Sequence, residues 1–71
     1  MEWTSVTDSK RITAMAYDAE TETIFVRFPN GVEWRYEGCP LHIWEEFSAP
    51  NTSKGQYISQ VLNGHSNSRV A

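Results

Sequence analysis

Two groups of side chains in this sequence are suited to binding chemistry, and the first opens a predicted helix. It consists of Ser53, Lys54 and Gly55, with Lys10 and Arg11 as further cations for an anion or RNA. Free backbone N–H groups and the dipole at a helix start attract anions, and a glycine lets a ligand come close. The alternative is a plain helix start, because Ser53 also begins the S-x-x-Q pattern of a capping box.

The second group is Phe25, Arg27 and Arg35, which alternation places on the outer face of a predicted sheet. Arginine and aromatic side chains are enriched at the hot spots of protein interfaces, so we expect a partner-binding patch there. The alternative is a solvated face on which Arg27 pairs with Glu33. Trp3 lies outside the periodic segments, and it either covers an edge of the core or serves as an exposed partner-binding anchor.

The sequence shows no arrangement typical of catalysis or metal binding. Cys39 and His42 lack an orienting third group, so a half-buried structural thiol is the simpler interpretation of Cys39. His42, His65 and one cysteine do not make a metal-ligand pattern, and no P-loop, GxSxG or HExxH motif is present. We therefore expect no enzyme activity, no catalytic residue, no metal and no cofactor.

Length and composition indicate one small domain with one core. The chain has 71 residues, nine of them aromatic, a formal net charge of −3 and a single cysteine. An acidic chain is a poor general binder of nucleic acid, since such affinity comes largely from neutralising phosphates. One thiol favours a reducing compartment, and neither a signal peptide nor an apolar run of ~20 residues is visible. We expect a cytoplasmic monomer that does not contact membranes.

The periodicity predicts three antiparallel strands, at residues 11–17, 23–28 and 32–36. A turn with Gly31 in the left-handed position pairs Phe28 with Val32, Val26 with Trp34, and Ile24 with Tyr36. All six side chains then share one face, which we expect to lie under the helices. Trp34 and Tyr36 could instead form a stacking platform for nucleic acid bases. On the opposite face Arg27 meets Glu33, and Arg35 meets Phe25 in an expected cation–π contact.

Two short helices follow the sheet in this prediction. The first begins at Pro40 and ends near Ser48, and the second begins at Thr52 or Ser53 with Gly64 as its C-terminal cap. The predicted fold is α+β, a three-stranded antiparallel meander packed under two short C-terminal helices. Residues 1–64 form the domain, and 65–71 form a flexible tail.

The order of several short motifs resembles the KTSC domain, named for the C-terminal domain of some bacterial lysyl-tRNA synthetases. The motifs are Tyr17-Asp18, Asn30-Gly31, Trp34-Arg35-Tyr36, Cys39-Pro40 and Ser53-Lys54-Gly55-Gln56-Tyr57-Ile58. The resemblance spans roughly residues 9–63. Trp34 stands where the family usually has tyrosine, and residues 50–52 look like a small insertion.

The resemblance implies a fold more directly than an activity, because the function of the family is not established. Similar short proteins occur alone in bacteria and phages, which implies a regulator that docks on a host protein complex, with the transcription machinery as one candidate. The synthetase context implies RNA binding, to tRNA or a single strand, as the alternative. A small anionic nucleotide held at the second helix start is the third possibility.

Overall fold

The computed structural model describes all 71 residues and shows an α+β fold, as the sequence predicts, but with five strands and not three. Along the chain the elements are β1 (Trp3–Ser5), β2 (Ala14–Asp18), β3 (Thr23–Arg27), β4 (Glu33–Tyr36), α1 (Leu41–Ser48), α2 (Lys54–Gln60), a 3-10 turn (Leu62–Gly64) and β5 (Asn67–Arg69). The strands lie in the sheet in chain order, and each neighbouring pair is antiparallel. No helix has the length and apolar character needed to cross a membrane.

The two unpredicted strands form the edges of the sheet. β1 comes from the segment before the first predicted strand, and β5 comes from residues that were predicted to be a flexible tail. Backbone hydrogen bonds hold β5, including Glu37 N to Ser66 O at 2.7 Å and Val70 N to Glu33 O at 2.8 Å. Both strands have three residues and largely polar sequences, so they lack the apolar alternation that identifies a half-buried strand.

The central hairpin has the predicted register. Val26 pairs with Trp34 and Ile24 with Tyr36, while Arg27 lies opposite Glu33. Gly31 has a φ of 86°, in the left-handed region, and its N–H donates to Phe28 O at 2.9 Å. A slip of one residue would exchange the faces of a whole strand. The bulged turn at Gly31 therefore decides which side chains meet the helices.

The core lies between the inner face of the sheet and the two helices. Its ten buried residues are Val6, Ile12, Met15, Ile24, Val26, Tyr36, Cys39, Phe47, Ile58 and Leu62. Tyr36 is 3% exposed and Trp34 is half-buried against this cluster. Trp34 and Tyr36 thus belong to the core. Burial of Tyr36 excludes the alternative, in which the two rings form a stacking platform for bases.

The helix boundaries agree with the prediction except at the end of the second helix. Pro40 precedes α1, and Ser53 caps α2 by accepting a hydrogen bond from the Gln56 N–H. α2 ends at Gln60 and continues into a 3-10 turn, so Gly64 is not its cap, contrary to the prediction. Ile12 was predicted to lie in the first strand of the hairpin sheet. It is fully buried, but it precedes β2, which begins at Ala14.

We expect Gly31→Ala to destabilise the fold by about 1 kcal/mol, since a Cβ is strained at positive φ. An added Cβ would meet nothing within 4 Å, so the loss would come from the backbone alone. Gly64→Ala is the matched control, because Gly64 also has open space but no positive φ. Urea unfolding of both variants measures the difference, and equal midpoints would contradict the role given to Gly31.

Candidate functional site

The outer face of the sheet, opposite the helices, carries one of the two predicted groups of binding residues. Strand pairing aligns one residue from each strand in a row across this face: Trp3, Ala16, Phe25, Arg35 and Ser68. Arg27 lies in the neighbouring row, between Ala14 and Glu33. We call Trp3, Phe25, Arg27 and Arg35 the outer patch. The structure thus brings together all four residues that were predicted to bind a partner.

The centre of the outer patch is an aromatic pair with an arginine on top. The Trp3 and Phe25 rings meet edge to face, with centroids 6.4 Å apart. The guanidinium carbon of Arg27 lies 4.4 Å from the centroid of the Trp3 ring. Arg27 can reach across β2 to Trp3 on β1, because β2 presents only the small side chains of Ala14 and Ala16 on this part of the face. The expected cation–π contact is therefore formed by Arg27 on Trp3, and not by Arg35 on Phe25.

Each arginine of the outer patch is held through its Nε atom. Arg27 Nε donates to Glu33 Oε2 at 2.7 Å, which confirms the predicted cross-strand ion pair. Arg35 Nε donates to Ser68 Oγ at 3.0 Å and lies 3.5 Å from Glu37 Oε2. The side chains are 39% and 50% exposed, respectively. The terminal nitrogens of both guanidinium groups make no hydrogen bond within the chain.

The second predicted group lines a polar cleft of about 400 Å³ between the loop before β2 and the start of α2. Its walls are residues 8–11 and 52–55, and none of them is hydrophobic. All five predicted anion- or RNA-binding residues therefore meet in one place: Lys10, Arg11, Ser53, Lys54 and Gly55. Two of the five, Lys54 and Ser53, already make hydrogen bonds within the chain, so they offer less to a ligand than the others do.

The ammonium group of Lys54 points into the protein. Its Nζ donates to Phe47 O at 2.6 Å and to Ala49 O at 2.9 Å, and the residue is only 4% exposed. These are carbonyls at the end of α1, which have no partner within the helix. Burial lowers the pKa of the Lys54 amino group from its usual value, and the charge of Asp8 opposes that shift. Lys54 thus caps the preceding helix, and the exposed cations at the cleft are Lys10 and Arg11.

Gly55 lies next to Lys54 and near the stem of Arg11. A Cβ at this position would lie 3.4 Å from Cβ and 3.5 Å from Cγ of Arg11. Those separations are ordinary van der Waals contacts, so packing against Arg11 does not by itself require a glycine here. Ser53 accepts from Gln56 N at 3.5 Å, as the capping-box alternative predicted. Ser53 and Lys54 can therefore be explained by the junction between the helices without any ligand.

Cys39 is fully buried, which is deeper than the half-buried position expected for it. Its thiol lies 3.4 Å from Tyr36 O, and burial raises the pKa of the thiol. A thiol held in its neutral form is a weak nucleophile. The histidine, cysteine and carboxylate side chains do not come together in groups of three anywhere in the chain.

Ser68 and Glu37 are members of the site that the sequence did not suggest. Ser68 positions Arg35 only because β5 pairs with β4, and that strand was not predicted. The role of Lys54 was also missed, since its acceptors lie seven and five residues before it, at the end of the preceding helix. A separation of seven or five residues does not correspond to a regular contact within one helix or strand. No local sequence pattern could therefore indicate these hydrogen bonds.

The comparisons with known proteins agree with the resemblance in the sequence. The family model of the KTSC domain matches residues 8–65, and the chain therefore belongs to the KTSC domain family. The crystal structure of a KTSC domain protein from Yersinia pestis is similar to this chain, with a TM-score of 0.84 and 25% sequence identity. The alignment covers 99% of this chain and 97% of that one. No curated protein matches the chain.

We expect Lys54→Met to lower the free energy of unfolding by about 1–3 kcal/mol, because Phe47 O and Ala49 O would lose a buried donor. Methionine keeps an unbranched apolar stem, so the change removes the hydrogen bonds with little change in packing. Lys10→Met is the control, as Lys10 is exposed. Chemical denaturation measures both, and equal stability of the two variants would show that Lys54 does not support the helix junction.

The alkaline stability of the protein should depend on Tyr57, whose hydroxyl donates to Glu46 Oε1 at 2.7 Å. Burial first, and this hydrogen bond second, raise the pKa of Tyr57 above the ordinary 10.0. The folded state holds the phenolic proton more tightly than the unfolded chain. The associated stability is complete below pH 10.0 and is lost as the pH rises through the folded-state value.

The test compares the wild type with Tyr57→Phe in urea over a range of pH. The wild type should be more stable by a constant amount at neutral pH, and this difference should shrink above pH 10.0. The comparison cancels the opposite contribution of Lys54, which both proteins share. A difference that stays constant through the alkaline range would contradict a raised pKa for Tyr57.

Proposed function

We propose that this protein is a small non-enzymatic binding module whose outer patch docks on a protein partner. The observation that supports this most is the composition of the sheet face opposite the helices. An aromatic pair and two partly exposed arginines lie together there, and no helix covers them. Tryptophan and arginine dominate the binding energy of protein interfaces. The edge-to-face packing of Trp3 on Phe25 also keeps both rings ordered before binding, which reduces the entropy lost on association.

The biological setting of the proposal comes from the family. We propose a regulator encoded by a phage or a bacterium that acts in the bacterial cytoplasm on a host protein complex, with the transcription machinery as one candidate. The resemblance to stand-alone KTSC proteins supports this setting. The formal net charge of −3 is compatible with a protein partner, since such interfaces need no excess of positive charge.

RNA binding is the second candidate, and the polar cleft supports it. Lys10 and Arg11 lie there beside the exposed hydroxyl of Ser53, so a phosphate group could be held. The cation that would strengthen such a site, Lys54, is engaged inside the protein. A chain with a negative net charge would also repel a long phosphate backbone. Binding to tRNA or a single strand should therefore be weak and strongly dependent on salt.

Two substitutions with the same change of charge distinguish the candidates. Arg35→Glu alters the outer patch, and Lys10→Glu alters the cleft; both residues are exposed. We expect tagged wild-type protein and Lys10→Glu to capture the same protein from a bacterial lysate, with or without nuclease. Arg35→Glu should lose it, because loss of a hot-spot residue costs about 2 kcal/mol or more, roughly thirtyfold in affinity. Its thermal midpoint should stay close to that of the wild type.

Two outcomes would contradict the proposal. Capture that survives Arg35→Glu would show that the outer patch is not the docking surface. Capture that disappears with nuclease, and with Lys10→Glu, would favour RNA binding in the cleft. Gel-shift measurements with tRNA at low and high salt then provide an independent check on the second result.

A further inference from the structure

We infer that the partner recognised by the outer patch is an acidic protein segment, in which carboxylate side chains flank an aromatic or aliphatic one. This inference rests on the proposed function and adds the chemistry of the partner to it. The two arginines of the patch lie on adjacent strands and in adjacent rows of the sheet, as diagonal neighbours, with Phe25 opposite Arg35 and Glu33 opposite Arg27. A partner that reaches both guanidinium groups therefore passes beside the Phe25 ring.

The guanidinium groups present unused hydrogen-bond donors to that partner. In each arginine the Nε atom is engaged, by Glu33 for Arg27 and by Ser68 and Glu37 for Arg35, whereas the terminal nitrogens are free. The two terminal nitrogens of a planar guanidinium form a fork whose spacing matches the two oxygens of a carboxylate. With 39% and 50% of these side chains exposed, both forks are accessible to a partner.

Both forks are held in place before any partner arrives. The stacking of Arg27 on Trp3 and its bond to Glu33 restrict one side chain, and the bond of Arg35 to Ser68 restricts the other. Fixing a long arginine side chain costs up to about 2 kcal/mol of rotamer entropy. An arginine that is already ordered loses less on binding, so Trp3 and Ser68 act as positioning residues for the two forks.

The surroundings of the forks favour separate carboxylates over a chain of phosphates. Glu33 and Glu37 lie beside the two arginines and balance their charge, so the patch lacks the net positive charge that binding of a nucleic acid backbone requires. The Trp3 face under Arg27 is already covered, so it cannot stack on a base. Single carboxylates separated by an apolar side chain avoid both difficulties, since they need only reach the outer ends of the guanidinium groups.

The two positioning residues lie outside the part of the chain that the family model matches. The match runs from residue 8 to residue 65, whereas Trp3 belongs to β1 and Ser68 to β5. The edge strands therefore complete a surface whose other members, Phe25, Arg27 and Arg35, lie in the matched part. A preference for acidic segments should depend on these strands, and it cannot be assigned to a KTSC domain from the matched residues alone.

Titrations with two synthetic pools of heptapeptides, followed by NMR, test the inference. Each pool has Trp or Leu at its centre; one carries only Asp and Glu as charged residues, and the other only Lys and Arg. We expect the acidic pool to shift the side-chain N–H signals of Arg27, Arg35 and Trp3, and to bind at least tenfold more tightly than the basic pool. Random hexamers of single-stranded RNA serve as the phosphate probe, and should leave these signals unmoved.

Variants then test whether binding depends on the planar shape of the guanidinium group or only on its charge. Arg35→Lys keeps the charge but removes the fork, and we expect it to weaken binding of the acidic pool about tenfold. Ser68→Ala keeps the guanidinium group of Arg35 but removes the hydrogen bond that positions it. We therefore expect the affinity for the acidic pool to fall a few fold and the Arg35 Nε–H proton to exchange faster. Lys10→Met, which removes a cation elsewhere, should bind the acidic pool like the wild type.

Four results would overturn the inference. They are equal binding of the two peptide pools, full binding by Arg35→Lys, unchanged binding and exchange in Ser68→Ala, and RNA that displaces the acidic pool from the outer patch. If the peptides fail while capture from the lysate still depends on Arg35, the patch binds a protein of different chemistry. If capture itself does not depend on Arg35, the proposed function fails and not only the chemistry assigned to the partner.

Discussion

The register of the central hairpin is the constraint on which the other features depend. With Gly31 in the left-handed conformation, Ile24 and Val26 face the helices, and Arg27 and Arg35 face away from them. Apolar burial and the outer patch are thus two results of one alignment. A shift of one residue would turn over one of the two strands, so that one arginine would be buried under the helices and the apolar side chains of that strand would be exposed. Burying unpaired charge would be far too costly for so small a core.

The junction of the two helices shows how a motif typical of ligand binding can be structural. α1 has eight residues and α2 has seven, so a large share of their backbone groups lies at helix ends. Lys54 donates to two carbonyls at the end of α1, and Ser53 caps α2. A small domain has little apolar surface to spare, and complete pairing of buried polar groups becomes correspondingly important. No buried side-chain nitrogen or oxygen is left without a partner.

Sequence reasoning succeeded where neighbouring residues or alternation carry the information. The hairpin, its register, both helices and the family could all be predicted, because turn chemistry and apolar spacing are local signals. The edge strands could not, since Trp3–Ser5 and Asn67–Arg69 become strands only through pairing with a neighbour distant in the chain. For the same reason the four members of the outer patch were predicted, but the contact between Arg27 and Trp3 and the one between Arg35 and Ser68 were not.

The outer patch also links binding to completion of the fold. Trp3 and Arg27 are 24 residues apart in sequence and Arg35 and Ser68 are 33 apart, so neither contact exists until the first and last strands have joined the sheet. A partner that needs both arginines in place binds the folded chain and not the unfolded one, and it stabilises the fold by mass action. Because the edge strands are short, their pairing is the part of the sheet most open to local fraying. A partner that bridges the arginines would therefore strengthen the attachment of both edges to the family-matched centre of the domain.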